Sequence, residues 1–150
     1  MIQMSLKEKL LQDLKEAMKN KETVRKNTIQ LIRSGVLQIE KDKQVELDNE
    51  GVLDVIAKEL KKRRDSMPDF VKSGRQDLID ELNKEIDVLL GYLPEQLTES
   101  EIKEIVEQTV KETGASSIKD MGKVMRCITP KVKERADSKI VSTLVKQMLQ

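Results

Sequence analysis

The sequence predicts an all-α protein, with an N-terminal helical bundle over residues 1–94 and a small C-terminal helical subdomain over 95–150. Three observations carry that expectation. Leu, Ile, Val and Met recur at helical spacing from Leu6 to Met148, and no segment alternates with period two for long enough to form a strand. One Phe, one Tyr and no Trp leave the core to aliphatic side chains, which suits helix bundles better than sandwiches. Charged and hydrophobic residues each make up 37% of the chain, and their regular spacing describes amphipathic helices with charged outer faces rather than disorder.

Each element follows in order. Ser5-Leu-Lys-Glu8 reads as a capping box, and Leu6, Leu10, Leu14, Ala17 and Met18 behind it line one face as far as Lys19. A second stripe runs through Val24, Thr28, Leu31, Ile32, Gly35 and Ile39, with Gly35 leaving room for a neighbouring helix. The polar stretch Lys41 to Glu50 reads as a loop whose Asp48 caps the third helix, carrying Val52, Leu53, Ile56, Leu60 and Met67. Pro68 is expected to kink or end that helix, because proline has no amide hydrogen and disfavours helical geometry at the preceding residue. Ser73-Gly74 marks a second break. Leu78, Leu82, Ile86, Leu89 and Leu90 form the next stripe, closed by Gly91.

Pro94 opposes a continuous helix and Thr98-Glu-Ser-Glu101 is a second capping box, so the subdomain boundary is placed in Tyr92 to Thr98. The helix after it holds Ile102, Ile105, Val106 and Val110 and ends at Gly114. Ser117 or Asp120 then caps a short helix with Ile118, Met121, Val124, Met125 and Ile128, expected to stop at Pro130. Asp137 caps the last helix, whose inner face is Ile140, Val141, Leu144, Val145 and Met148.

Composition narrows the chemistry. A net charge of +1 provides no global field that would draw the chain to nucleic acid or membrane, so electrostatic binding must come from local segregation. The absence of His removes the usual general base, the commonest metal ligand and any Ser/His or Cys/His pair. Cys127 is the single cysteine, which excludes an intrachain disulfide, suggests a reducing cytoplasmic location and reads as a partly buried structural thiol. No segment is apolar enough for a signal peptide or a membrane span, so no membrane partner is expected; Met1 and Met4 both qualify as the start.

No catalytic residue, metal site or cofactor is nominated. Gly122-Lys123 resembles the end of a phosphate-binding loop, but the pattern needs Gly where Ser117 stands and Ser or Thr where Val124 stands. Gly122 is read instead as a helical glycine that lets two helices approach. Charge segregation remains. Lys119 to Lys139 holds seven cations (Lys119, Lys123, Arg126, Lys131, Lys133, Arg135 and Lys139) against Asp120, Glu134 and Asp137, whereas Glu99 to Glu112 holds five Glu against Lys103 and Lys111. Lys123, Arg126, Lys131, Lys133, Arg135 and Lys139 are therefore the candidate RNA-binding residues. Lys58, Lys61, Lys62, Arg63 and Arg64 form a secondary basic cluster, equally readable as solvated charge. No aromatic residue interleaves with the C-terminal cations, which points to shape and phosphate readout of a folded RNA rather than stacking on single strands.

Several pieces, in order along almost the whole chain, carry a family resemblance. They are Lys61-x-Arg-x-Asp-Ser66, Gly74-Arg-x-Asp-Leu78, Glu85 with Tyr92-Leu-Pro-Glu-Gln-Leu97, Gly114-Ala, Asp120-Met-Gly-Lys-Val-Met125, Pro130-Lys-Val-Lys and Arg135-Ala-Asp137. The chain resembles the YqeY family, stand-alone relatives of the C-terminal part of GatB, the B subunit of tRNA-dependent amidotransferases. The resemblance implies a GatB/YqeY-like all-helical fold with an N-terminal bundle and a C-terminal subdomain, and a tail associated with tRNA recognition. It also implies the label of a carbon–nitrogen ligase with glutamine as amido donor, although none of the matched residues belongs to that enzyme's catalytic domain or glutaminase subunit. Arg126, Glu134 and Ser138 stand where the family pattern has Gly, and Cys127 where it has a small apolar residue. Two functions of different class follow. One is a tRNA-binding or tRNA-associated module, linked to an amidotransferase through partners and without catalytic machinery of its own. The other is a helical protein–protein adaptor.

Overall fold

A computed structural model describes residues 4–150, so the choice between Met1 and Met4 turns on residues outside those described. The chain divides into two compact units, one ending at Leu93 and the other Pro94–Gln150. Every regular element among the described residues is helical. The first unit holds α1 (Leu6–Lys19), α2 (Thr23–Lys43), α3 (Asn49–Ser73) and α4 (Gln76–Leu90). The second holds α5 (Glu99–Thr113), a single 3-10 turn (Ile118–Asp120), α6 (Met121–Val132) and α7 (Ser138–Leu149).

The helix starts follow the capping chemistry. Ser5 accepts from the Glu8 amide, Asp48 from Gly51 and Asp137 from Lys139, while Thr98 and Glu101 cap each other reciprocally. In the first unit Leu10, Leu14, Ile29, Ile32, Val36, Val52, Val55, Ile56, Leu60 and Leu89 make the core. In the second it is Ile102, Val106, Val124, Ile128, Val132, Val141, Leu144, Val145 and Leu149. Full burial of such a Leu, Ile or Val contributes about 1.5–3 kcal/mol. Gly35 serves the close approach expected of it: a Cβ there would lie 3.2 Å from Val55 Cγ1, so α2 and α3 meet across bare backbone.

Several expectations do not survive. Pro68 does not end α3, which continues to Ser73 and closes at the expected Ser73-Gly74 break. The missing amide costs one hydrogen bond, but extending an existing helix is cheaper than nucleating a new one. Pro130 likewise lies inside α6, because Val132 beyond it is drawn into the core; the break comes at Lys133, with an extended ψ of 127°, and at Glu134. Glu134 has φ +63°, in the left-handed region where glycine is at ease, which fits the Gly that the resemblance implies there. Helix α2 runs to Lys43, shortening the expected 41–50 loop. Leu31, Met18, Ile140 and Met148 fall at helical spacing, yet the structure leaves them exposed.

Polar ties flank the first core. The Tyr92 hydroxyl donates to Asp13, whose carboxylate also lies 3.7 Å from Arg25, and Lys9 sits 5.6 Å from the Tyr92 ring centre. Burial, then the bond to Asp13, pushes the Tyr92 phenol above its ordinary value. Arg63 is 8% exposed, donates to the Glu59 carboxylate at 2.7 Å and the Glu59 carbonyl at 3.0 Å, and approaches Glu85 across α4 at 3.6 Å.

Gly74 and Gly114 close α3 and α5 with φ of +69° and +68°, and a Cβ would meet nothing within 4 Å at either, or at Gly122. Backbone conformation alone therefore separates them. Gly74→Ala and Gly114→Ala should each lower stability by about 1 kcal/mol, whereas Gly122→Ala, in ordinary helical geometry, should raise it by up to about 1 kcal/mol. Urea denaturation followed by circular dichroism measures all three.

Candidate nucleic-acid interface

The outer face of α6 is set by what its inner face buries. Val124, Ile128 and Val132 point into the second core, which turns Gly122, Lys123, Arg126, Cys127 and Pro130 outward. Asp120 anchors the turn ahead of the helix, accepting from the amides of Ser116 at 3.0 Å and Ser117 at 3.4 Å. Those two amide bonds, with a smaller pull from Lys123, hold its carboxyl below the ordinary value.

The nominated cations divide by role. Lys131 is tied to α5: its ammonium donates to Glu112 at 2.8 Å and to the Thr109 hydroxyl at 3.0 Å. Thr109 is fully buried and in turn donates to the Ile105 carbonyl at 2.7 Å, so the contact closes a chain of polar groups along the α5–α6 seam. Arg135 has a second structural role. Its Nε donates to the Glu95 carbonyl at 3.1 Å and its own carbonyl accepts from Leu97 at 2.8 Å, while Gln96 donates to the Glu134 carbonyl at 2.8 Å. This clasp pins the entry segment of the second unit to the turn between α6 and α7. Lys123 and Arg126 stay exposed on α6, Lys133 on the following turn and Lys139 in the first turn of α7.

In the secondary cluster, Arg63 is buried with Glu59 and Glu85, Lys62 lies 3.3 Å from Glu59 and Lys61 lies 3.5 Å from Asp65. Lys58 is exposed and Arg64 half-buried on the same helix. Lys119, counted in the sequence among the seven cations but not among the candidate RNA-binding residues, is exposed on the 3-10 turn four and seven positions before Lys123 and Arg126. Gly122 makes no helix–helix contact: it opens onto empty space and leaves bare backbone beside these cations. Cys127 is exposed on this face rather than partly buried. Among the described residues no group of three or more Cys, Asp or Glu could hold a metal ion, and no helix is long and apolar enough to cross a membrane.

Residues 7–149 match the family model described as Yqey-like protein. The chain belongs to the YqeY family. Its similarity extends to fungal proteins named "Altered inheritance of mitochondria protein 41, mitochondrial". The Pyrenophora tritici-repentis protein is 32% identical over 146 residues, covering 94% of this chain and 79% of that protein. The Kluyveromyces lactis protein is 42% identical over 84 residues, 55% of this chain and 45% of that protein. The Lachancea thermotolerans protein is 38% identical over 85 residues, 56% of this chain and 46% of that protein, so the match spans under half of either yeast relative. These names overturn the expected cytoplasmic location, since YqeY relatives similar over most of the chain are mitochondrial proteins by name. A lone cysteine bears on redox chemistry, whereas a cellular address is read by receptors from targeting segments.

Three carboxyls in the second unit of this YqeY protein are held below their ordinary values. Glu112 is lowered chiefly by the Lys131 hydrogen bond, Glu101 by the Thr98 amide and Asp120 by the Ser116 amide. A depressed carboxylate adds stability that is present above its unfolded pKa and lost as pH falls through the folded one. Stability should therefore be level above about pH 5 and decline below about pH 4. Glu112→Gln should flatten that acid limb in urea titrations at stepped pH and leave Asp120 to carry its own share.

Proposed function

We propose that this YqeY protein is a tRNA-associated helical module that engages phosphates through the outer face of α6. The observation that carries the reading is the exposed grouping of Lys119, on the 3-10 turn, with Lys123 and Arg126 on α6 around the bare backbone of Gly122. Lys133 and Lys139 extend the cationic surface beyond α6. Lys131 and Arg135 act indirectly, by fixing α6 and the entry clasp. The second unit carries no aromatic residue, so its readout would rest on phosphates and backbone shape, as for an A-form stem. Through the family's likeness to the GatB tail, the module is assigned to the company of a glutamine-dependent carbon–nitrogen ligase, without catalytic groups of its own.

The salt dependence of binding tests this. Each neutralised phosphate releases counterion, giving a logarithmic slope of about 0.7–0.9 per contact. Lys123→Ala with Arg126→Ala in the full chain should weaken binding of fluorescein-labelled tRNA and reduce the slope by roughly 1.5, equally for different tRNAs. Gly122→Glu should weaken binding while the helical signal is kept, since nothing within 4 Å of that position is displaced. Lys131→Ala should instead act mainly on stability. An unchanged slope in the double variant would remove the RNA reading and leave the helical adaptor.

A further inference from the structure

The outer side of the α1–α2 hairpin carries a surface that neither core nor family motif uses. On α1, Lys7, Leu11 and Met18 follow one another at four and seven residues; on α2, Lys26, Arg33, Leu37 and Glu40 do so at seven, four and three. Each set falls on one helical face. An ion pair between Lys7 and Glu40 joins the two faces, so they border a common seam between antiparallel helices that pack on each other. Leu10, Leu14, Ala17, Ile29, Ile32 and Val36 turn the opposite way, into the core. The apolar side chains left in the seam are well exposed: Leu11 by 38%, Met18 by 55% and Leu37 by 61%.

The charge around them is mostly positive. Lys15 and Lys19 continue along α1, and Lys26, Arg33 and Lys41 along α2. None of these five makes an ion pair with another described residue, in contrast to Lys7 and Arg25 on the same helices. Glu40 is taken up by Lys7 and by the Leu47 amide, and Glu46 also approaches Lys7 at 4.0 Å, so Glu8 and Glu46 are the carboxylates at the edge.

We propose that this seam docks an acidic amphipathic helix of a partner protein. Leu11 and Met18 stand about 10 Å apart along α1, the spacing at which a helix laid in the seam repeats its own apolar face every seven residues. The flanking ammonium and guanidinium groups would meet that helix's Glu and Asp side chains, selecting against basic partners. An RNA backbone would satisfy the cations but leave three apolar side chains uncovered. A bilayer surface would be expected to take aromatic anchors, and the chain's Phe70 and Tyr92 lie on other elements.

The test uses the full chain and a fluorescent synthetic peptide three heptads long, with Leu on one face and Glu elsewhere, beside a twin with Lys in place of Glu. The Glu peptide should bind and the Lys peptide should not. Leu11→Ser with Leu37→Ser should weaken binding roughly tenfold or more. Lys15→Glu with Arg33→Glu should lose the Glu peptide and gain the Lys peptide, an exchange that damage to the fold cannot produce. The proposal is overturned if the Glu peptide fails to bind or ignores both pairs of substitutions. It is equally overturned if the charge-reversed pair instead abolishes sedimentation with phosphatidylglycerol vesicles, or binding of tRNA.

Discussion

A core built of aliphatic side chains, with Tyr92 only partly buried at its edge, is the constraint on which this molecule turns. Leu, Ile and Val are compact, and each unit has roughly ten of them to bury, so apolar packing leaves a thin margin against chain entropy. Charged side chains at the rims of the cores take up part of that task. Arg63, paired with Glu59 on its own helix, bridges α3 to α4 through Glu85, Tyr92 and Arg25 converge on Asp13, and Lys131 joins α6 to α5 through Glu112 and Thr109.

That division of labour changes how the family motifs are understood. Arg63, Glu85 and Tyr92 stand in the segments that carry the resemblance, and all three hold helices of the first unit together. Arg75 and Asp77, from the next motif, form a two-point ion pair with each other at 2.9 and 3.1 Å, beside the left-handed turn at Gly74. Arg135 clasps the start of the second unit. Much of the signature therefore describes how the fold is fastened. The residues proposed to meet RNA, Lys119 on the 3-10 turn with Lys123 and Arg126 on α6, make none of these fastenings.

Glu134 shows the same economy from the backbone side. The chain must reverse between α6 and α7 within a few residues, and it does so through a left-handed conformation. A glycine would adopt it without strain; here a glutamate does, with its carbonyl held by Gln96 and the next residue held by the clasp. The turn is thus kept in place by its partners rather than by its own conformational preference.

By itself the sequence determined the helical class, the order of the helices and most of their starts. Apolar spacing and caps such as Ser5, Asp48 and Thr98 act within a turn or two of chain, and local physics is what a sequence displays. It marked the Ser73-Gly74 break that closes α3, but it could not determine that α3 runs through Pro68 to reach it, or that α6 runs past Pro130 to Val132. Pro68 and Pro130 are local stop signals, and they are overridden by helix cooperativity and by burial of Val132 in a core assembled from other segments. Nor could it sort the cations. Lys123 and Lys131 look alike in the chain, eight residues apart on one helix, but only Lys131 faces Glu112 and Thr109. Whether a charge is spent on the fold or left for a ligand depends on which helix packs beside it, and that is settled only when α5 and α6 meet.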